Sequence, residues 1–278
     1  MTLFVFLSVL FAAFLHALWN AVIKSGTSKM TGVLILTLVQ ACIGLGIGLS
    51  RPFPDATVWL WLLGSGVFHS GYKLFLGFAY EQGDLSRVYP IARGAAPMIV
   101  TLISVAALAD IIAPAEFLGI FVLGCGIALM ARGAFFNGES RRLVPLALGS
   151  AAMTAGYSLV DGLGARVSGD AVAYVAWLFV LDAAFFTPVC LGLRGSVVLR
   201  APLRDWLRNG AAALASYGAY AIAVWAMTQA PIALVTALRE TSILFAVLIG
   251  WLALGDRMDR AKAAAALMIV LGVVLTRL

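Results

Sequence analysis

Apolar residues in this chain come in long runs, and most polar residues fall in the short gaps between them. Ten runs approach the ~20 residues that a helix needs to cross a bilayer. They lie near 3–23, 31–50, 58–81, 86–108, 114–131, 144–165, 171–193, 206–229, 231–254 and 260–277. The longest connectors are Gly133–Leu143 and Arg194–Asp205. The first of them divides the chain into two units of five spans, 1–133 and 143–278.

The two units echo each other. A shift of 146 residues carries Arg93 onto Arg239, Asp110 onto Asp256 and Gly126 onto Gly272 without a gap. Leu-Ala-Asp at 108–110 and Leu-Gly-Asp at 254–256 each follow a span. In the first spans, Trp19-Asn20 matches Tyr157-Ser158. An odd number of spans per unit makes the two units insert with opposite topology, as in secondary transporters. The expected fold is therefore an all-α integral membrane protein with ten transmembrane helices, built as two inverted five-helix repeats.

Composition agrees and excludes other classes. The chain is 63% hydrophobic and 12% charged, against about 45–50% and about 25% in soluble domains. Its formal charge of +6 does not mark a nucleic-acid binder, because the basic residues sit in short connectors and form no folded basic face. The three cysteines all fall in apolar runs, and their spacing fits neither a disulfide framework nor a zinc site. The N-terminus lacks the basic segment of a signal peptide, so the first run is expected to remain as a span.

Charge placement gives an orientation. Thirteen of the 19 Lys and Arg residues fall in or beside the connectors after spans 1, 3, 5, 7 and 9. Three lie on the other side, and Lys73, Arg93 and Arg239 lie inside spans. The positive-inside rule makes the basic connectors cytoplasmic. Both termini are then expected outside the plasma (inner) membrane.

The chemistry sits inside the spans. Pro90, Gly94 and Pro97 are expected to break span 4 beside Arg93, because proline removes a backbone donor and clashes one turn back. Freed carbonyls at membrane depth need protein or a water-filled cavity. Arg93 and its counterpart Arg239 are read as cavity groups, since intramembrane charge usually faces a bundle interior. Glu240 is either a proton-titrating group or the partner of Arg93. In span 3, His69, Tyr72, Lys73, Leu76 and Tyr80 share one helical face. Tyr72 and Lys73 are read as cavity lining, and His69, with Glu240, as a carrier of a coupled proton. Asp182 is the expected partner of Lys73. Span 1 offers Trp19 and Asn20, with His16 and Lys24 on the same face, and span 6 offers Tyr157, Ser158 and Asp161. Glu81 to Arg87 and Asp256 to Arg260 read as solvated turns. No catalytic or metal-binding constellation is evident and no cofactor is expected, so the chain is not read as an enzyme.

Three segments carry a resemblance: H-A-L-W-N-A-V-I-K at 16–24, Y-P-I-A-R-G-A-A-P at 89–97 and A-L-R-E-T-S-I-L-F-A at 237–246. Set in two five-helix halves, they make a chain that resembles the EamA-type transporters of the drug/metabolite transporter superfamily. The resemblance implies ten helices around a central cavity, alternating access between the halves, and export or exchange of a metabolite. It places Trp19, Asn20, Arg93, Arg239 and Glu240 at cavity positions. The second half lacks the Pro90 and Pro97 pair, and has Tyr157-Ser158 where the first has Trp19-Asn20.

The expected function is a secondary transporter, an exporter or exchanger of a small polar metabolite. Two arginines and Lys73 favour an anionic group, which Arg grips bidentately. Three acids inside spans, Asp161, Asp182 and Glu240, balance the three bases, so a zwitterion fits equally. The expected partners are this small molecule, protons and the lipid bilayer, with the protein a monomer or homodimer. A non-transporting membrane sensor or assembly protein, and a passive channel, are the alternatives.

Overall fold

The structure, a computed structural model, describes residues 1–24, 29–82, 85–108, 112–131, 143–253 and 260–277. Among them the ordered elements are helices. They are α1 (Leu3–Lys24), α2 (Lys29–Leu49), α3 (Ala56–Gln82), α4 (Leu85–Ala107), α5 (Pro114–Ala131) and α6 (Leu143–Ser168). α7 (Ala171–Arg194), α8 (Leu203–Gln229), α9 (Ile232–Arg239), α10 (Ser242–Ala253) and α11 (Arg260–Leu275) follow, with a single 3-10 turn at Ser196–Leu199. Six segments of the described residues are long and apolar enough to cross a membrane: Leu3–Ile23, Met30–Leu49, Leu143–Ser168, Ala171–Arg194, Leu203–Gln229 and Ile232–Ile249. Arg93–Ala107 and Pro114–Leu129 are shorter apolar helices.

Lipid reverses the usual partition of side chains. On α1, Leu3, Leu7, Phe11, Phe14 and Leu18 recur every three or four residues and point outward. Val5, Val9, Ala12, Ala13 and Ala17 on its other face are buried. Outward leucines cost nothing against hydrocarbon, so the apolar stripe faces lipid and small residues face neighbouring helices. The interior instead holds charge: Arg93, Asp161, Asp182, Arg239 and Glu240 are all buried.

The most extensive contacts run between distant parts of the chain. α3 packs along α6, α5 along α11, α1 along α8, and α2 along α7. α5 and α11 meet at glycines. A Cβ on Gly272 would lie 2.7 Å from the Gly119 carbonyl oxygen and 2.7 Å from the Leu123 nitrogen. A Cβ on Gly126 would lie 3.0 Å from both the Ala265 oxygen and the Ile269 nitrogen. Shifted by 146 residues, Gly126 becomes Gly272, Gly119 becomes Ala265 and Leu123 becomes Ile269. One contact is thus the other with the halves exchanged.

The break expected in span 4 is not there. α4 runs unbroken through Pro90, Gly94 and Pro97. Membrane helices tolerate proline when neighbouring helices and hydroxyl side chains satisfy the freed groups. The discontinuity falls in the other half, where the single span expected over 231–254 is split into α9 and α10 at Glu240–Thr241. The Glu240 and Thr241 amides bond three residues back, to Ala237 and Leu238, both at 3.1 Å. Thr241 Oγ1 adds a 2.7 Å bond to the Leu238 carbonyl. A hydroxyl that competes for backbone groups closes the helix here without proline.

The matched Asp110 and Asp256, most of the Gly133–Leu143 connector and the Asp256–Asp259 part of the last turn lie outside the described residues. So do residues 83–84 of the Glu81–Arg87 turn and the side chains of Lys24, Tyr80, Glu81 and Arg87.

Gly272→Val is expected to lower the melting temperature of the purified protein in detergent by several degrees, since overpacking costs about 1–3 kcal/mol. Gly46, with nothing within 4 Å of a Cβ, is the control. Gly46→Ala is expected to leave the melting temperature unchanged or raise it, because alanine loses less backbone entropy than glycine.

Candidate functional site

Each charged centre forms where helices from different parts of the chain meet. Arg93 on α4 donates from Nε to Glu240 Oε2 at 2.9 Å, and both side chains are 2% exposed. Glu240 is presented by the α9–α10 break, where a carboxylate and the last turn of α9 meet α4. Lys73 on α3 donates to Asp182 Oδ2 on α7 at 2.5 Å and to Thr37 Oγ1 on α2 at 2.8 Å. Its ammonium also sits 4.7 Å from the centre of the Phe186 ring. These two pairs neutralise two of the three intramembrane bases.

The third base is arranged differently. Arg239 ends α9, next to Glu240, and is buried with 6% exposure. Among the described residues no carboxylate pairs with it. Its guanidinium lies 5.0 Å over the Tyr220 ring, a cation–π contact with α8. The shift that aligns Arg93 with Arg239 aligns Gly94 with Glu240. The first half therefore has no acid at that place, and Gly94 lies so close to Ile127 that a Cβ would come within 2.6 Å of it.

Tyr220 joins Arg239 to a second cluster. The Tyr220 hydroxyl donates to Asp161 Oδ2 on α6. Tyr174 donates to Asp161 Oδ1 at 3.1 Å, and His69 Nε2 lies 3.1 Å from Oδ2. Asp161 thus has three donors around one carboxylate that is wholly buried. His69 stacks on Tyr157 at 4.1 Å between ring centres. Tyr72 and Tyr220 meet Tyr157 edge-on at 5.7 and 6.0 Å. Aromatic pairs prefer this offset or edge-to-face geometry. Rings from α3, α6 and α8 thereby form one wall, with Arg239 at its rim.

On α1, Trp19 Nε1 donates to His16 Nδ1 at 3.2 Å, and Asn20 Nδ2 donates to the His16 carbonyl at 2.7 Å. Trp19 also packs against Leu36, Ala212 and Ala213 of α2 and α8. A cavity of about 380 Å³ lies elsewhere, between the ends of α6 and α8 beside Arg166 and Trp225. It includes none of the residues expected to bind substrate.

Arg93, Glu240 and Arg239 therefore come together, and the ring wall brings Tyr72, Tyr157 and His69 alongside. Lys73, four residues from His69, is drawn instead into the Asp182 centre on α2 and α7. Trp19 and Asn20 serve His16 directly. Two participants were not in the expected set: Tyr174, which holds Asp161, and Tyr220, which carries Arg239. The run S-Y-G-A-Y at 216–220 puts Tyr217 and Tyr220 on one face of a polar-poor span, a signal like that of span 3.

Glu240→Gln leaves a buried guanidinium without its counter-charge, and is expected to destabilise the protein by about 3–5 kcal/mol. The double variant Arg93→Met/Glu240→Met removes both charges and is expected to recover most of that loss. Thermal unfolding of the purified variants in detergent reads both outcomes.

The model of the EamA-like transporter family matches residues 142–278. A crystal structure of another protein is similar over 98% of this chain and 94% of its own, with 20% identity and a TM-score of 0.73. Likeness at that identity is likeness of fold. No curated protein matches the chain. Outward apolar stripes, charge gathered inside and the family match point the same way. Residues 142–278 are similar to the EamA-like transporter family, and the long apolar helices make the chain a multi-pass integral membrane protein.

Proposed function

We propose that the protein is a secondary transporter that exports or exchanges a small polar, acidic metabolite by alternating access. In this reading residues 1–133 and 143–278 are two inverted five-helix repeats, with α9 and α10 together forming one of ten spans. The helix pairings support it. Exchange of the halves turns the α3–α6 contact into α8–α1 and leaves α2–α7 and α5–α11 unchanged, as the reciprocal glycine contacts of α5 and α11 require. Contacts at one membrane face are consistent with it too. Arg277 donates to the Met1 carbonyl at 2.8 Å, and Arg51 pairs with Asp170 at 3.0 Å. With the basic connectors in the cytoplasm, this face would be the outer face of the plasma membrane.

The observation that carries the proposal is Arg239, a buried guanidinium with no carboxylate in salt-bridge contact among the described residues. A substrate that brings its own acid group is the natural complement, because a buried charge is stable only when paired. Asp161 favours an anion over the ammonium of a zwitterion, since three protein donors already occupy it. Arg93 and Glu240 would lie beside the bound group, with Tyr157, Tyr72 and Trp19 along its body and Asn20 bracing the turn of α1. Glu240 and His69 are the groups proposed to carry a coupled proton. The split at Glu240–Thr241 gives the substrate region a place where a helix can bend as the halves rock.

Proteoliposomes offered a mixture of water-soluble cell metabolites test this by mass spectrometry of the lumen. Saturable uptake that speeds up when the same solute is preloaded is expected. Arg239→Met is expected to reduce it at least tenfold, and Arg51→Gln, at the exposed surface pair, to leave it unchanged. Non-saturating flux would mark a channel, and no flux of any solute a sensor or assembly protein. Uptake intact in Arg239→Met would remove the site. Uptake indifferent to an imposed pH gradient would remove the coupled proton.

A further inference from the structure

We infer that His16 is a specificity residue: its Nε2–H and the Arg239 guanidinium form a two-residue seat for an oxyanion of the substrate, a carboxylate or a phosphonate. This rests on the transport reading above and adds the group that the site recognises.

The hydrogen bond from Trp19 fixes the tautomer of His16. An indole N–H only donates, so at 3.2 Å the His16 Nδ1 must be the acceptor and carries no proton. The ring proton is then on Nε2. That atom is buried and has no hydrogen-bond partner among the described residues. A buried donor left unmet is expensive, on the order of 1–3 kcal/mol. Asn20 on the His16 carbonyl and Trp19 on the ring hold the donor in place rather than satisfying it.

The surroundings restrict what can meet this donor. α1 packs along α8, whose Tyr220 carries Arg239, and on α9 and α10, which flank it, with α4 and its Arg93 packed on α9. A guanidinium is donor-only, so neither arginine can accept from Nε2. Glu240 is held by Arg93, and Asp161 by Tyr174, Tyr220 and His69. The acceptor must therefore arrive with a ligand. A cation would meet the imidazole N–H and the Arg239 charge. A neutral hydroxyl would answer His16 but leave Arg239 unmatched. An oxyanion answers both, with two or more acceptor oxygens for a planar guanidinium and an imidazole N–H. Trp19 beside His16 and Tyr220 beneath Arg239 give that oxyanion aromatic neighbours.

The test is thermal-shift and calorimetric titration of the purified full chain in detergent with benzoate, phenylphosphonate and benzylamine. Benzoate or phenylphosphonate, or both, are expected to bind and raise the melting temperature, and the stronger of the two tells which oxyanion the seat prefers. Benzylamine is expected to do neither. His16→Phe should weaken the binding at least tenfold. His16→Gln, whose amide N–H can replace Nε2–H, should keep it within about threefold and match the wild-type melting temperature without ligand, which separates loss of the donor from loss of the fold. Unchanged affinity in His16→Phe with binding lost in Arg239→Met would overturn the role of His16 and leave the transport site at Arg239 standing. Unchanged affinity in Arg239→Met would overturn both. Benzylamine binding as well as the anions, or neither anion binding the wild-type protein, would overturn the oxyanion assignment.

Discussion

Charge inside a hydrocarbon layer has to be answered, and the interior of this protein is organised around how each charge is answered. An ion left alone in a low-dielectric interior carries a penalty of several kcal/mol. Lys73 is answered by Asp182 and Arg93 by Glu240, each across helices far apart in sequence. Asp161 is answered by two phenols and an imidazole. These contacts fix which faces of α2, α3, α4, α6, α7 and α8 look inward. The leucines and phenylalanines on the outer faces make no such demand, because one apolar neighbour serves them as well as another.

Arg239 stands apart because the two halves of the chain differ at one place. Glu240 follows Arg239 in the second half and gives its carboxylate to Arg93 in the first. The aligned position after Arg93 is Gly94, which packs against Ile127 and has no room for an acid. One carboxylate thus serves the arginine of the opposite half, and among the described residues no carboxylate returns the service. Tyr220 supports Arg239 from below without cancelling its charge, and its own hydroxyl is committed to Asp161. In the proposed mechanism this single asymmetry is what turns a neutral helix interface into a place that receives an acid.

Much of this was legible in the sequence. Apolar run length located the helices to within a few residues, since a helix that faces lipid has few ways to be short or polar. Lys73 and Asp182 were recognisable as partners because each stood mid-span. Glu240 pairs with Arg93, one of the two roles that its position allowed. Run length and spacing do not determine how a helix is rotated about its axis, so they could not show that Tyr174 and Tyr220 close around Asp161. Pro90 and Pro97, where the donor is missing, lie in an unbroken helix, and the break falls at Thr241, where a hydroxyl takes a carbonyl at 2.7 Å. Proline marks a lost hydrogen bond, but whether the helix breaks depends on what neighbouring groups supply.

The central claim is that Arg239, and not the Arg93–Glu240 pair, receives the substrate. A high-resolution structure of the protein with a transported metabolite bound tests it most directly. Acidic oxygens of the ligand are expected at about 2.7–2.9 Å from the Arg239 guanidinium, with Arg93 still bonded to Glu240. A ligand that displaces Glu240 from Arg93, or that binds with Arg239 still lying only on Tyr220, would contradict it.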